Sequence, residues 1–300
     1  MLRNLVVNAD DLGLTVGVNN GIFDAHDRGI LTSASVFANA PATTDALRRI
    51  RSHPSLGVGV HLTLVDGTPT LSPSSVSSLV DDHGRFRASW KPFIIACLRG
   101  RVALDEVERE LTAQIDRIAS EGIRLTHLDA HKHVHAFPPL FAIVVRLAAR
   151  FHIPVVRVPY ELWSRVWGDD HQRHGARIQR LANAAMLPWA RLDHRAAAAE
   201  GVRVPQFVGR IHTGVMSRRS LEESLRHLGP GTTELMVHPG YVDDALRQTS
   251  TRLLSSRAHE VDLLCAISIR SLIHDADIQL VRHDLVPRGT SVTRSLRNVS

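Results

Sequence analysis

The chain has 300 residues, 44% of them hydrophobic and 22% charged, and a formal net charge of +6. That is length enough for one large α/β domain or two small ones, with an ordinary composition for a globular core. Aromatics at 5% with no basic–aromatic interleaving argue against nucleic acid, no apolar run reaches the roughly 18 residues of a transmembrane helix, and neither Cys97 nor Cys265 has a neighbouring cysteine.

The first strand signal, Leu5-Val6-Val7, comes almost at once and leaves no secretory pattern, so a cytoplasmic setting is expected. Val16 to Arg28 reads as a helix, Ser33 to Ala38 as a strand, Ala42 to Ser52 as a helix, and Leu56 to Val60 as a strand ending at His61. Thr68 to Ser78, rich in Pro and Ser, reads as a long loop of the lid or substrate-loop kind. Ala103 to Glu121 carries Leu104, Val107, Leu111, Ile115 and Ile118 at helical spacing. Leu125 to Asp129 is a strand, and Pro138 opens a helix to about Arg150. Val155 to Val158 is a strand, and a helix-rich insertion spans Gln172 to Glu200. A short strand near Phe207, a helix from Leu221 to His227, a strand from Thr233 to Val237, two helical segments and a strand from Ile278 to Val281 complete the series. Residues 1–285 read as one domain. Residues 286–300 carry Arg288, Arg294 and Arg297 without an acid and read as a disordered basic tail rather than a binding arm.

Strand–helix alternation along the whole chain predicts parallel strands with crossover helices. Seven or eight such units predict an α/β fold of the (β/α) barrel type, TIM-barrel-like and distorted or incomplete, with an open doubly wound sheet as the alternative.

Unusual polar residues fall at the carboxyl ends of the predicted strands, where barrel active sites assemble. Asp10 and Asp11 follow the first, His61 closes the third, and Arg157 and His238 end later ones. Two adjacent carboxylates can divide labour between holding a cation and acting as a base. They can also simply cap the next helix, although Thr15 is itself a good N-cap. His127, Asp129, His131, His133 and His135 alternate, so an extended chain would place all five on one face. Imidazole with carboxylate suits zinc-like divalent ions. Not all of them fit around one ion, so some are expected to orient ligands instead. His61 and His238, each closing an apolar run, are read equally well as structural. No nucleophile elbow, phosphate-cradling loop or H-E-x-x-H motif occurs.

Three segments resemble one family. They are Asn8-Ala9-Asp10-Asp11-Leu12-Gly13, Thr126 to His135 with its D-x-H-x-H-x-H pattern, and Glu234-Leu235-Met236-Val237-His238-Pro239-Gly240; His61 accompanies them. Together they resemble the YdjC-like carbohydrate deacetylases, chitooligosaccharide deacetylases among them, over about residues 2–282. The resemblance implies a barrel-like fold and hydrolysis of N-acetyl groups with one divalent metal, magnesium or zinc. It implies Asp11, His61 and His131 as ligands. Asp10 is then expected as the base, His238 as the acid for the leaving amine, and Asp129 as the partner that fixes a histidine tautomer. Arg157 would bind substrate or orient Asp10, and His127, His133 and His135 would support ligands or touch substrate. Leu12 stands where Phe is common, and Lys132 where the chitooligosaccharide enzymes carry His. The Ala130-His131-Lys132-His133 form, with Val65-Asp66-Gly67-Thr68-Pro69, also looks like members associated with hopanoid biosynthesis. The expected substrate is therefore an acetylated carbohydrate or a glycolipid. A homodimer is compatible with the sequence. The alternatives are a metal-dependent phosphoester hydrolase and a catalytically silent sugar-binding protein.

Overall fold

On the first strand, β1 (Arg3–Leu12), nine of ten residues are buried. Leu5, Val7 and Ala9 belong to the main apolar core, whereas Val6 joins a small separate cluster with Val155 and Val286. Burial on both faces is the mark of a strand inside a parallel sheet covered by helices. In the computed structural model, which describes residues 2–161 and 183–287, the strands β1, β2 (Ser33–Val36), β3 (Gly57–Leu62), β4 (Leu125–Ala130), β5 (Gln206–Val208), β6 (Gly231–Val237) and β7 (Ile278–Leu280) form one parallel sheet.

The sheet runs in the order β4-β3-β2-β1-β6-β5. β7 pairs with the first half of β1, from Arg3 to Leu5, and β2 with the second half, from Asn8 to Leu12. Isolated parallel bridges then link β4 to β5: Leu128 to Val156, Val155 to Arg203, and Glu161 to Phe207. The predicted strand at Val155 to Val158 thus exists only as single bridges. Pro154 and Pro159 flank it and supply no N–H, so a continuous ladder is interrupted. The result is the distorted barrel expected from the sequence, not an open doubly wound sheet.

The described helices are α1 (Val16–Arg28), α2 (Thr43–Ile50), α3 (Trp90–Leu98), α4 (Leu104–Ala119), α5 (Pro138–Arg150), α6 (Leu187–Ala199), α7 (Arg218–Arg226), α8 (Asp244–Arg247), α9 (Ser255–Cys265) and α10 (Ile267–Asp275), of which α1, α4, α5 and α10 pack directly on strands. Thr15 caps α1 by accepting the Val18 N–H at 3.2 Å, so neither Asp10 nor Asp11 is the cap. Gly17 and Gly21 on α1 face the turn after β6; a Cβ on Gly21 would run into the backbone of Gly240. α4 buries Val107, Leu111, Ile115 and Ile118 as its spacing requires, while Leu104 at its start is exposed. Of the predicted insertion at Gln172 to Glu200, residues 172–182 lie outside the described residues, and the described part, 183–200, contains α6. Nearly all of the 286–300 tail also lies outside them. Among the described residues no helix is long and apolar enough to cross a membrane.

The loop between β3 and α3, which contains Thr68 to Ser78, is tied down rather than loose. Three acceptors one turn apart on α4 hold its backbone. Glu106 accepts from Ser78 N–H at 2.8 Å, Glu110 from Thr70 and Leu71 at 2.7 and 3.0 Å, and Gln114 from Thr63 at 2.9 Å.

A typical barrel interior is filled by branched apolar side chains. Here the inward positions are polar. Asn8 and Asp10 come from β1, Ser35 from β2, Gly59 and His61 from β3, His127 and Asp129 from β4, and Glu234 from β6, all buried. Gly59 is required by this layer: a Cβ there would lie 2.5 Å from the His127 ring.

Candidate metal centre at the carboxyl ends of the strands

Two neighbouring residues on a regular strand point to opposite faces. Asp10 and Asp11 escape this rule because the β1–β2 register shifts between Ala9 and Leu12 and Asp11 adopts a left-handed backbone, φ 70°. Asp tolerates that conformation better than most residues, at a cost of about 1–3 kcal/mol. Both carboxylates are consequently buried in the same site.

Asp11 Oδ1 faces two imidazoles, 3.5 Å from His61 Nε2 and 3.3 Å from His131 Nδ1. Its other oxygen is held by Arg257 of α9 at 2.5 Å. Each imidazole is gripped by a carboxylate from behind. His61 Nδ1 meets Asp129 at 2.8 Å, and His131 Nε2 lies 3.5 Å from Asp66. Asp66 is itself paired with Lys132. Holding the outer nitrogen this way fixes the tautomer and leaves the inner nitrogen as a lone-pair donor. The donor atoms of Asp11, His61 and His131 all lie within 4.8 Å of one another. One carboxylate oxygen and two imidazole nitrogens, converging and supported from behind, fit a divalent cation. The electrostatics agree. Burial opposes charge on His61, yet Asp129 and Asp11 hold its pKa up at about 10. His131 is also raised, against burial, by Asp11 and Asp66. The pocket favours positive charge where a cation would sit.

Asp10 sits beside this group, within 4.8 Å of a His61 nitrogen and of Asp129. Arg157 grips it with both nitrogens, Nη1 to Oδ2 at 2.8 Å and Nη2 to Oδ1 at 2.7 Å. Burial works to raise the Asp10 pKa, but Arg157 overrides it, and the group stays ionised far below the usual carboxylate range. The Arg157 guanidinium also contacts Asp129 at 2.8 Å and Glu234 at 2.7 Å, so one buried cation serves three carboxylates. The contact between Arg157 and Asp10 is the one expected if Arg157 orients that carboxylate. His238, just past β6, is buried, and Glu260 accepts its backbone N–H at 2.6 Å. Burial pushes the His238 ring down to about 4, despite Asp10 and Asp11 nearby.

The expected shared face of five alternating residues is not what forms. β4 ends at Ala130, and His131 to Ala136 coil into a tight turn with Lys132 and His133 left-handed, φ 52° and 54°. Alternation therefore stops after Asp129. His127 lies deeper in the barrel, stacked on His283 at 3.7 Å and in contact with Ser35 at 2.9 Å; Ser35 in turn donates to Asp129 at 2.7 Å. His133 turns towards Phe207. His135 donates from Nε2 to the Arg157 carbonyl at 2.9 Å. Sequence reasoning missed Arg257 and Asp66. Arg257 stands 246 positions from Asp11, with no local signal. Asp66 lies in the Val65–Pro69 segment, but its role depends on the turn that delivers His131.

A parallel α/β barrel with a one-carboxylate, two-imidazole donor set at its carboxyl rim defines the class. Within it, the chain belongs to the YdjC-like protein family, whose model matches residues 4–275. A carbohydrate deacetylase of Brevibacillus brevis is 35% identical over 277 residues, covering 92% of this chain and 97% of its own. One from Geobacillus stearothermophilus is 31% identical, covering 94% and 98%. Among solved structures, a protein of Enterococcus faecalis V583 described as a cellobiose-phosphate cleavage protein superposes with a TM-score of 0.75 at 27% identity, covering 95% of this chain and 98% of its own.

Proposed function

We propose that this chain is a hydrolase that removes the acetyl group from an N-acetylated amino sugar, at a divalent cation held by Asp11, His61 and His131. The observation that carries the reading is the convergence of those three donors beside an ionised carboxylate, Asp10, that is held apart by its own arginine. The relatives named carbohydrate deacetylases support the bond and the substrate class. With two imidazoles among three donors, the set suits zinc-like ions better than magnesium, which prefers oxygen ligands and water.

A cation in this position supplies Lewis acidity, acidifying water and polarising the amide carbonyl. The protein's own groups do the rest. Asp10 takes the proton from the attacking water. Arg157 orients Asp10 through both of its oxygens. Arg257 occupies one oxygen of Asp11 and leaves the other facing the imidazoles. Asp129 and Asp66 orient His61 and His131. His238 delivers a proton to the departing amine nitrogen, which leaves poorly without one. It enters that step protonated only if developing negative charge in the site raises its pKa above the value set by burial.

The test is acetate release across acetylated monosaccharides, oligosaccharides and glycolipids, with metal-free protein reloaded one ion at a time. Metal-dependent acetate release from amino sugars is expected. Phosphate release from sugar phosphates without acetate would assign the site to phosphoester hydrolysis. Metal and sugar binding with no turnover would make it a binding protein.

A further inference from the structure

Helix α3 was not foreseen in the sequence, and nothing in the proposed reaction uses it. It buries Phe93 and Ala96 and turns the opposite face outward. Lys91, Ile95 and Leu98, spaced by four and three, form one outward stripe, with Trp90 and Arg99 also exposed. Ile95 is 47% exposed, Leu98 67% and Trp90 45%. Single exposed apolar residues are ordinary on a protein surface. Three on one nine-residue helix are not scattered.

The charge on the helix and its immediate flanks is positive, and the nearest carboxylates along the chain, Asp81, Asp82 and Asp105, lie just beyond them. From His83 to Leu104 the chain carries Arg85, Arg87, Lys91, Arg99 and Arg101 and no carboxylate. All five are exposed except Arg87, which is half-buried and bonds the Ser78 carbonyl. An apolar stripe alone would suit another protein or a second copy of this chain. A second copy would bring the same five cations face to face. A partner that is anionic at its surface and apolar just beneath matches both features, and that is an anionic lipid bilayer. Lys and Arg stems lie along apolar surface while their heads reach phosphates, and an aromatic ring such as Trp90 settles at the headgroup level.

We infer that α3 and its flanks form a docking surface for anionic membrane. Its place in the fold gives this consequence. α3 follows β3 on the carboxyl side of the sheet, and its inner side packs on the His131–Ala136 turn. A bilayer bound there lies across α3 from the turn that carries His131. The docking surface itself stands independently of the proposed reaction.

The experiment is co-sedimentation of the full-length protein with vesicles of phosphatidylcholine alone and with phosphatidylglycerol mixed in. Two variant pairs are compared, Ile95→Glu with Leu98→Glu, and Lys91→Glu with Arg99→Glu. All four positions are exposed, and unchanged thermal melting confirms the fold. The parent is expected to partition onto the mixed vesicles in preference to the neutral ones, and each pair is expected to lose about tenfold or more of that partitioning. Activity on a soluble acetylated sugar should stay as in the parent, which separates this idea from the reaction itself. It is overturned if the parent ignores the mixed vesicles, or if either pair binds them as the parent does, as it would were the basic end of the chain responsible. A parent that ignores vesicles but self-associates through α3 would assign the surface to a second copy.

Discussion

Asp10 and Asp11 are adjacent and chemically identical, yet their environments separate them. Asp11 offers one oxygen to the two imidazoles and gives the other to Arg257, while both Asp10 oxygens go to Arg157. Asp10→Asn should therefore leave ion affinity close to that of the parent and lower kcat by about 10²–10⁴, read by calorimetric ion binding alongside acetate release. An Asp10→Asn enzyme with full turnover would remove Asp10 as the base. Asp66→Asn belongs with it: loss of the carboxylate behind His131 should weaken ion binding by about 10–100-fold. A second residue-scale expectation concerns Glu161. Burial pushes its pKa up to about 7, although it accepts the N–H groups of Arg210 and Ile211 at 2.7 and 3.4 Å. Its folded pKa is raised above its unfolded value of 4.5, so its contribution to stability is complete below that pH and is lost as pH rises through about 7. Glu161→Gln should accordingly stabilise the protein at pH above 7, by an amount on the order of 1–3 kcal/mol, and much less near pH 5. Denaturant unfolding at both pH values checks the sign.

At the scale of elements, regular periodicity was legible and local breaks were not. α1, α4 and α5 lie within a few residues of their sequence-based limits, because each carries a clean apolar stripe or a capping signal. The strand ends that carry Asp10, His61, Asp129 and His238 were legible for the same reason: apolar runs stop where polar residues begin. The fate of the histidines after Asp129 was not. Two left-handed residues, Lys132 and His133, break the alternation, and neither is a glycine that would have advertised it. α3 was hidden by Pro92 in its first turn and by an apolar face that is exposed instead of buried. The β3–α3 loop reads in the sequence as a long lid or substrate loop, and Glu106, Glu110 and Gln114 hold it. Glu110→Ala should leave the N–H groups of Thr70 and Leu71 without their acceptor and open the loop, with faster proteolytic cleavage within 68–78 and little change at α5. Equal cleavage in parent and variant would show that Glu110 is not what holds it.

The molecule as a whole places charge where most barrels place hydrocarbon. Arg157 lies between Asp10, Asp129 and Glu234, and beneath them His127 stacks on His283. The barrel-type fold could be read from strand–helix alternation, but this interior could not, because its partners come together only when the strands do. Such a network is costly to break from one side. Arg157→Met should strand three buried carboxylates and destabilise the fold by about 3–5 kcal/mol, measurable by thermal or denaturant unfolding of metal-free protein. The same interior positions the site, since Arg157 and Asp129 hold Asp10 and His61 from below. In the proposed reaction one cation on Asp11, His61 and His131 is what makes this barrel a deacetylase. The most direct measurement is acetate released by metal-free protein as a zinc-like ion is titrated in, with the parent and His61→Ala compared. Activity that saturates at a single ion per parent chain and is absent from His61→Ala is the predicted result. Saturation only at two ions, or undiminished acetate release by His61→Ala, would contradict it.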